Sequence, residues 1–308
     1  MTEIIPIVTI TCTRDLPLLD LQAQSIHTYL DTSCPVYIVV NEDDPTEWNT
    51  YFNTNLKKYY QNHSLTILYR KDFESEWSSW IPSAKNPWAV GWETQQVLKF
   101  AVAKKLNTIR YLILDSQNFL IKTWNPHWYG LINNKVPCRQ GHHVMPVEIY
   151  NDYLKTLNMD PPFHNIGRMS ICTPIFFNTA LVKTLVDSQG TIANFTAWFK
   201  NASRIKSEFI LYELWAEKHD GMYTYHYMIP DIEDWANPYL RDCRSEEEFK
   251  PFIDFIGVHA PHSWVSINHR AWGNMSDNQY ERLCSKLKTF NLLPNFEEYR
   301  STYIDIKI

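Results

Sequence analysis

The sequence predicts an α/β fold with a mostly parallel central sheet flanked by helices, and three observations support this class. Short runs of β-branched and other apolar residues recur through the first half of the 308-residue chain. Each run is apolar at successive rather than alternate positions, as in strands that are buried on both faces. Stretches with helical spacing of apolar residues separate these runs, and strands that alternate with helices form βα units with parallel pairing.

The first half supplies four predicted strands and three predicted helices. The strands are residues 4–12, 36–40, 65–69 and 111–114. The helices between them are residues 18–29, 48–61 and 94–106. These elements make up the repeating βα part of the fold, residues 1–125.

The second half departs from this alternation because prolines interrupt it, among them those at positions 146, 161, 162 and 174. We predict strands at residues 173–177 and 255–259, and helices at residues 179–187 and 207–218. Three consecutive acids at residues 246–248 indicate the solvated start of a further helix. Residues 126–308 are therefore interpreted as an elaboration of the same fold, so that the chain forms a single domain.

Charge and cysteine content disfavour several classes of protein. The formal net charge of -5 provides no basic surface of the kind that binds a nucleic-acid backbone. The six cysteines are widely spaced with no C-x-x-C pair, so neither a zinc knuckle nor a redox motif is predicted. The amino terminus lacks a basic segment, Pro6 interrupts its apolar run, and no stretch approaches the roughly 20 apolar residues of a membrane span. We therefore expect a cytoplasmic protein.

A carboxylate stands at the end of the fourth predicted strand. The apolar run Y-L-I-L at residues 111–114 leads directly into Asp115, Ser116 and Gln117. Open α/β sheets bind ligands at the carboxyl ends of their strands. A carboxylate there is suited to hold a divalent cation, which neutralises the charge of a bound diphosphate. The alternative is that Asp115 only caps the turn after the strand.

A resemblance to a known family adds to this interpretation. The segment G-W-x-x-Q-Q-x-x-K-F at residues 91–100, followed by the strand end Y-L-x-L-D-S, resembles a family of bacterial and phage glycosyltransferases of the GT-A type. The resemblance implies a Rossmann-like GT-A fold in which the first half binds a nucleotide sugar and the second half faces the acceptor. It makes Gln95, Gln96 and Lys99 candidate contacts to the sugar or the diphosphate. The alternative for each is a solvated side chain on a surface helix.

A second segment of the resemblance, S-E-F-I-L-Y-E at residues 207–213, is similar to the family's S-E-Y-x-L-Y pattern, whose glutamate faces the acceptor. An inverting transferase needs a carboxylate that takes the proton of the acceptor hydroxyl. Glu208 is the first candidate for this catalytic base and Glu213 the second. On an ideal helix the two side chains point about 140° apart, so they do not serve one hydroxyl. The alternative is that either acid is a solvated charge near a helix start.

A third segment, I-G-V-H-A-P-H-S-W at residues 256–264, resembles a shortened form of the late V-H…K-P-W segment of glycogenin-like GT-A enzymes. There, a histidine completes a metal site, which implies that His259 is a metal ligand. The lysine that meets the diphosphate in those enzymes is missing. His262, Ser263 and Arg270 are the candidates to replace it.

The metal site implied by the resemblance combines Asp115, Gln117 and His259, with Mn²⁺ or Mg²⁺ as the expected ion. Gln117 stands where a D-x-D motif has its second carboxylate. An amide oxygen can coordinate a hard cation but brings no charge, so we expect weak metal binding. A histidine ligand favours Mn²⁺ over Mg²⁺.

Polar residues after the first two strands are candidates for binding the nucleotide. Thr11, Arg14 and Asp15 lie at the end of the first strand, where GT-A proteins receive the base and ribose. Asp43 and Asp44 follow the second strand and offer a carboxylate for the same purpose. The alternative for all of them is a polar turn cap.

Together, the segments predict a metal-dependent glycosyltransferase that moves a hexose or pentose from a UDP- or GDP-sugar to a hydroxyl acceptor, first of all a glycan. One alternative is a phage-type transferase that acts on modified DNA bases, against which the acidic net charge argues. The other is a non-catalytic GT-A-like sugar-binding protein, which Gln117 and the missing lysine favour. The stereochemistry stays open, since a base at Glu208 implies inversion and a glycogenin-like lineage implies retention.

Overall fold

Strands and helices alternate along the computed structural model, which describes residues 3–73, 87–139, 147–160, 169–170, 172–203, 206–229, 238–256 and 263–293. The strands in these ranges are β1 (Ile7–Thr11), β2 (Val36–Val40), β3 (Leu65–Tyr69), β4 (Arg110–Asp115), β5 (Asn118–Leu120), β6 (Val136–Arg139), β7 (Ile175–Asn178), β8 (His226–Ile229), β9 (Tyr239–Leu240) and β10 (Trp264–Ile267). The α-helices in these ranges are α1 (Leu16–Tyr29), α2 (Thr46–Tyr51), α3 (Pro87–Ala101), α4 (Val147–Thr156), α5 (Thr179–Asp187), α6 (Ile192–Ala202), α7 (Glu208–Lys218), α8 (Met222–Tyr225), α9 (Glu246–Phe255), α10 (His269–Asn274) and α11 (Asp277–Thr289). None of these described helices is long and apolar enough to cross a lipid bilayer.

A five-stranded sheet forms the centre of the fold, in the order β3-β2-β1-β4-β7. β1 pairs in parallel with both β2 and β4, β2 pairs in parallel with β3, and β7 runs antiparallel to β4 at the edge. The register places Thr11 opposite Val40 and Ile10 opposite Asp115, so β1, β2 and β4 end at the same edge. The mostly parallel α/β sheet predicted from the sequence is therefore confirmed.

β1 and β4 lie between layers of apolar side chains, which explains their continuous apolar sequences. All five residues of β1 are buried, and so are the first five of β4. Helix α1 also lies between two apolar layers. Its side chains Leu19 and Ile26 pack in one cluster against the sheet, whereas Leu18 and Leu21 pack in another with carboxyl-terminal helices. Burying each such side chain contributes roughly 1.5–3 kcal/mol.

A second sheet, in the order β5-β10-β9, joins the late part of the chain to the central sheet. β5 follows β4 after two residues and pairs antiparallel with β10, with Trp264 opposite Leu120. The buried Asn118 side chain ties these elements together. Its Nδ2 donates to the Ser266 hydroxyl and, at 3.3 Å, to the carbonyl oxygen of Thr173. The late segment around β10 is thereby placed beside the carboxyl end of β4.

The core mixes side chains from both halves of the chain. One large cluster of buried side chains contains Val8 and Phe100 from the first half together with Phe177, Phe195 and Phe199 from the second. The Phe100 ring lies 5.7 Å from both the Phe177 ring and the Phe195 ring. Stacked and edge-on aromatic pairs of this kind contribute roughly 0.5–1.5 kcal/mol beyond the area they bury.

The helix predicted at residues 48–61 is not one continuous α-helix. α2 ends at Tyr51, and a π-helical turn and a 3-10 turn complete the segment. Buried side chains recur every four residues along this segment, at Trp48, Phe52, Leu56 and Tyr60. In a regular α-helix this spacing drifts by about 40° at each step. The wider π turn offsets part of that drift and keeps these side chains on the buried side.

The strand predicted at residues 255–259 is wrong at its start, because Phe255 is the last residue of α9. α9 is capped by Ser245 and holds three acids in its first turn, which agrees with the predicted start of a helix there. Its apolar side chains Phe249 and Phe252 are buried at helical spacing. Most of the remaining predicted strand lies outside the described ranges.

Candidate active site

A cavity of about 610 Å³ opens at the carboxyl edge of the central sheet. Its walls come from the ends of β1 and β4, the loop after β2, helix α3, the start of α7 and the segment around β10. The volume lies within the range of about 300–1,000 Å³ that is common for small-molecule sites. Ligands of open α/β sheets bind at this edge, so the cavity is the candidate active site.

Most of the site residues predicted from the sequence line this cavity, although they come from distant parts of the chain. Those that do are Thr11, Arg14, Asp15, Gln95, Gln96, Lys99, Asp115, Gln117 and Glu208. The shared edge of β1 and β4 explains why residues so far apart in sequence meet here. Whether each of them binds substrate stays a prediction.

Lys99 forms the centre of a charged group in the cavity wall. Its Nζ lies 2.7 Å from Asp115 Oδ1 and 2.7 Å from Glu208 Oε1. The side chain of Lys99 is only 2% exposed and that of Glu208 4%, whereas that of Asp115 is 23% exposed. Burial acts to lower the pKa of Lys99, but the two carboxylates outweigh it and raise this pKa above its usual value. Burial also raises the pKa of Glu208, and Lys99 opposes that shift.

Neighbouring side chains fix the position of Asp115. Its backbone N–H donates to Asn118 Oδ1 at 2.6 Å, and Gln22 Nε2 donates to its carbonyl oxygen at 2.9 Å. The Thr173 hydroxyl donates to Asp115 Oδ2 at 2.8 Å. Gln22 itself is buried and accepts from the Thr9 hydroxyl at 2.8 Å. Asp115 therefore both closes the turn after β4 and presents a carboxylate to the cavity.

The start of α7 holds Glu208 in place. Ser207 is the N-cap, and its hydroxyl accepts from the backbone N–H of Ile210 at 3.4 Å. The backbone N–H of Ser207 donates to the Tyr153 hydroxyl at 2.8 Å, which anchors the cap to α4. Glu208 is the first helical residue, where the helix dipole favours the charged carboxylate.

The segment after β1 adds a second group of charged residues. The Asp15 carboxylate lies 3.8 Å from Arg14 Nε, and burial raises the pKa of Asp15 although Arg14 opposes the shift. The backbone N–H of Thr13 donates to Glu42 Oε1 at 2.7 Å, which joins this segment to the loop after β2. Glu42 and its neighbour Asn41 line the cavity.

Five candidate site residues lie in described parts of the chain but away from the cavity wall, namely Asp43, Asp44, Glu213, Ser263 and Arg270. Asp43 is 89% exposed and pairs with Arg70, whereas the neighbouring Glu42 lines the cavity. Glu213 is buried in α7 and is not part of the cavity wall. Its position five residues along the helix turns it away from Glu208.

The cavity wall also contains polar residues that the sequence patterns do not single out. Lys206 is buried, its Nζ donates to the Ser203 carbonyl oxygen, and burial lowers its pKa. His269 lines the cavity after β10, and burial lowers its pKa to about 4. Asn268 Nδ2 donates to the Tyr239 hydroxyl at 2.9 Å, and both residues line the cavity. Two features of the sequence could have identified such residues. Lys206 directly precedes the S-E segment, and Asn268 follows the end of a strand.

The described residues around Asp115 do not form a fitting metal site. Asp115 Oδ1 accepts from Lys99, and Asp115 Oδ2 accepts from Thr173. Gln117 Oε1, the other predicted ligand atom, accepts from Asn268 Nδ2 at 3.1 Å. A divalent cation on Asp115 would also be repelled by Lys99. That repulsion is roughly 4 kcal/mol for each pair of unit charges about 4 Å apart at an effective dielectric constant of about 20.

Two predicted residues of the metal and phosphate site, His259 and His262, lie in residues 257–262, outside the described ranges. Within the described ranges, no three His, Cys, Asp or Glu side chains are grouped so as to hold a metal ion. The requirement for Mn²⁺ or Mg²⁺ therefore stays a prediction.

The chain matches one protein-family model in sequence and several solved structures in fold. Residues 2–246, most of the chain, match the model of a family of unknown function (DUF6492), and no curated protein matches the sequence. Among solved structures, the apo bifunctional glycosyltransferase WbbM aligns with a TM-score of 0.54 and 16% identity, over 99% of this chain and 52% of that chain. An active-site mutant of the galactosyltransferase LgtC aligns with a TM-score of 0.52 and 12% identity, over 97% of this chain and 100% of that chain.

These structural matches concern the fold alone, because their sequence identities are low. The chain spans about half the length of the WbbM chain that it matches, and nearly the whole of it aligns with each of the two structures. The GT-A fold predicted from the sequence is thereby confirmed.

Proposed function

The chain belongs to DUF6492, a family of unknown function, and we propose that it is a glycosyltransferase that moves a sugar from a nucleoside diphosphate sugar to a hydroxyl acceptor. One observation gives this proposal its main support. Lys99 forms ion pairs with both Asp115 and Glu208 in a single cavity at the carboxyl edge of a GT-A sheet. The acceptor that we propose first is a glycan.

The nucleotide of the donor is proposed to bind near the end of β1. Thr11, Arg14 and Asp15 line the cavity there. Arg14 offers a guanidinium to the phosphates, since arginine binds phosphate oxygens through several N–H donors at once, and Asp15 offers a carboxylate to the ribose hydroxyls. Gln95 and Gln96 on α3 line the same cavity and offer amides to the sugar. A UDP- or GDP-sugar is a donor that would use all of these groups.

Glu208 is the proposed base for the transfer. The acceptor hydroxyl attacks the anomeric carbon, its proton passes to the Glu208 carboxylate, and the bond from that carbon to the phosphate oxygen breaks. The nucleoside diphosphate leaves with the electron pair. A base works best when its pKa is near the working pH, and burial raises the pKa of Glu208 towards that range. Transfer by this route inverts the anomeric configuration.

A panel of UDP- and GDP-sugars with mixed glycan acceptors tests the proposal through the release of nucleoside diphosphate, with and without Mn²⁺. We expect at least one donor to be turned over. Asp115→Asn should lower that turnover about 100-fold, because it removes a carboxylate that holds the Lys99 ammonium group in the cavity wall, and a misplacement of about 1 Å in a site can cost about 10²-fold. Asp187→Asn makes the same chemical change at an exposed ion pair with Lys104 and should leave turnover unchanged. Equal turnover by Asp115→Asn and the wild type would contradict the proposal, as would a panel in which no donor binds.

Glu208→Gln separates catalysis from binding. In a transferase it should lower transfer by about 10²–10⁴-fold, while donor affinity, measured by calorimetry, changes far less. A protein that only binds sugars would bind the donor in both forms and release no nucleoside diphosphate in either. The comparison therefore distinguishes an enzyme from a sugar-binding protein with the same fold.

A further inference from the structure

We propose that the ammonium group of Lys99 takes the place of a divalent cation in this site, so that the donor diphosphate binds without Mn²⁺ or Mg²⁺. The inference rests on the proposed function, since it concerns how the same cavity accepts a nucleoside diphosphate. It departs from the metal requirement that the sequence predicts.

Lys99 holds an oxygen atom that a metal ion would need. Its Nζ lies 2.7 Å from Oδ1 of Asp115, the strand-end carboxylate that lines the cavity. The second oxygen of that carboxylate accepts from the Thr173 hydroxyl at 2.8 Å, and Gln117 Oε1 accepts from Asn268 Nδ2 at 3.1 Å. A metal ion can bind Asp115 and Gln117, the two predicted ligands that lie in the described residues, only if it competes with these contacts.

The positive charge of Lys99 is fixed in this position. Its Nζ lies 2.7 Å from Asp115 Oδ1 and 2.7 Å from Glu208 Oε1, so two carboxylates hold the ammonium group in the cavity wall. Two cations that share one carboxylate repel each other strongly in a partly buried site. A divalent ion is disfavoured at Asp115 as long as Lys99 is present.

Lys99 retains one N–H for a ligand. An ammonium group has three donors, and two of them go to Asp115 and Glu208. Within the described residues, no third oxygen or nitrogen acceptor lies in hydrogen-bond range of Nζ. The centre of the Phe209 ring lies 5.2 Å from Nζ, and Lys99 lines the cavity. Arg14 and Lys206 line the same cavity and add two positive charges that a diphosphate can use in the absence of a metal ion.

The two carboxylates would make a cation site if the ammonium group were removed. Asp115 Oδ1 and Glu208 Oε1 each lie 2.7 Å from the same nitrogen atom, so they face a common point. Carboxylate oxygens arranged around one point are suitable ligands for Mn²⁺ and Mg²⁺. Lys99→Gln is therefore expected to gain the metal site that the wild type lacks.

Mn²⁺ binding, followed by the loss of the electron paramagnetic resonance signal of the free ion, tests the inference without any donor sugar. The wild type and Asp115→Asn should take up the same amount of Mn²⁺, and Lys99→Gln should take up about one additional ion per chain. Lys99→Arg keeps the charge, and Lys104→Gln removes a lysine from an exposed ion pair, so both should behave like the wild type. The inference is overturned if the wild type binds Mn²⁺ and Asp115→Asn abolishes that binding. It is also overturned if Lys99→Gln folds but binds no additional Mn²⁺.

Nucleotide binding to the wild type decides the question if circular dichroism shows that Lys99→Gln does not fold. The affinity for UDP and the affinity for GDP are each measured by calorimetry, once in EDTA and once in excess Mn²⁺. For each nucleotide the two values should agree within about twofold. An affinity that is about tenfold or more higher in Mn²⁺ overturns the inference. If neither nucleotide binds in either condition, the proposed function is contradicted. The comparison of Mn²⁺ uptake by the wild type and Asp115→Asn still decides whether a metal ion binds at Asp115.

Discussion

His226 is a fully buried side chain whose two ring nitrogens both have partners. Nε2 lies 2.6 Å from the Tyr212 hydroxyl, and Nδ1 lies 3.1 Å from the Val136 carbonyl oxygen. Burial lowers the pKa of His226 to about 3, so the ring is neutral in the folded protein at neutral pH. In the unfolded chain the same ring titrates at about 6.5. Its contribution to stability is therefore complete above about pH 6.5 and is lost as the pH falls towards about 3.

Lowering the pH from about 7 to about 5 should reduce the free energy of unfolding by about 2 kcal/mol through His226 alone. His226→Gln should reduce this pH dependence, measured by urea denaturation at several pH values. Burial also lowers the pKa of His63 and of His269, so part of the dependence will remain. His27→Gln, at an exposed histidine, is the control and should keep the full wild-type slope. The prediction is wrong if both variants keep that slope.

Site residues that follow a recognisable strand or helix start in the sequence could be predicted. Site residues that reach the cavity only through tertiary contacts could not. Asp115 ends a buried strand and Glu208 follows a helix cap, so both have a signal within their own segment. Thr173 and Asn268 reach Asp115 and Gln117 only through contacts between distant segments. Such contacts depend on three-dimensional packing and leave no periodic pattern in the sequence.

The same distinction holds for helices and strands. β2 and α5 have the predicted bounds, because an apolar run marks the first and the N-cap Asn178 marks the start of the second. β5 is only three residues long, and its pairing partner β10 lies far along the chain. The π turn after α2 accompanies the stacking of Phe52 on Trp48 at 4.9 Å. Elements that depend on such distant or irregular packing were not predicted.

Ser207→Ala should cost about 1 kcal/mol of stability, because the Ser207 hydroxyl caps the backbone N–H of Ile210 at the start of α7. It should also lower turnover in the proposed reaction, because Glu208 is the next residue and depends on the cap for its position. Ser245→Ala is the matched control, since it removes a similar hydroxyl cap on Glu248 from α9. Urea denaturation should give similar losses for both variants, but only Ser207→Ala should lose turnover. Unchanged turnover in Ser207→Ala would show that the cap does not position the base.

At the scale of the whole molecule, the two halves of the chain share one sheet and one core. β7 from the second half pairs with β4 from the first, and β10 pairs with β5. The clusters of buried side chains also contain residues from both halves. Removing either half would leave strand edges unpaired and apolar surface exposed to water. We therefore expect that neither residues 1–125 nor residues 126–308 are stable alone.

The whole chain should accordingly unfold in one cooperative transition, which native-state hydrogen exchange can test in both halves at once. Leu185→Ala removes a fully buried side chain in the second half and should cost about 2–5 kcal/mol. Because the halves share a core, slow amides of β1 in the first half and of α6 in the second should be accelerated by the same factor. Leu293→Ala makes the same change at a residue that is 64% exposed. It should accelerate exchange neither in β1 nor in α6. Faster exchange confined to the second half would mean that the halves unfold independently, contrary to this prediction.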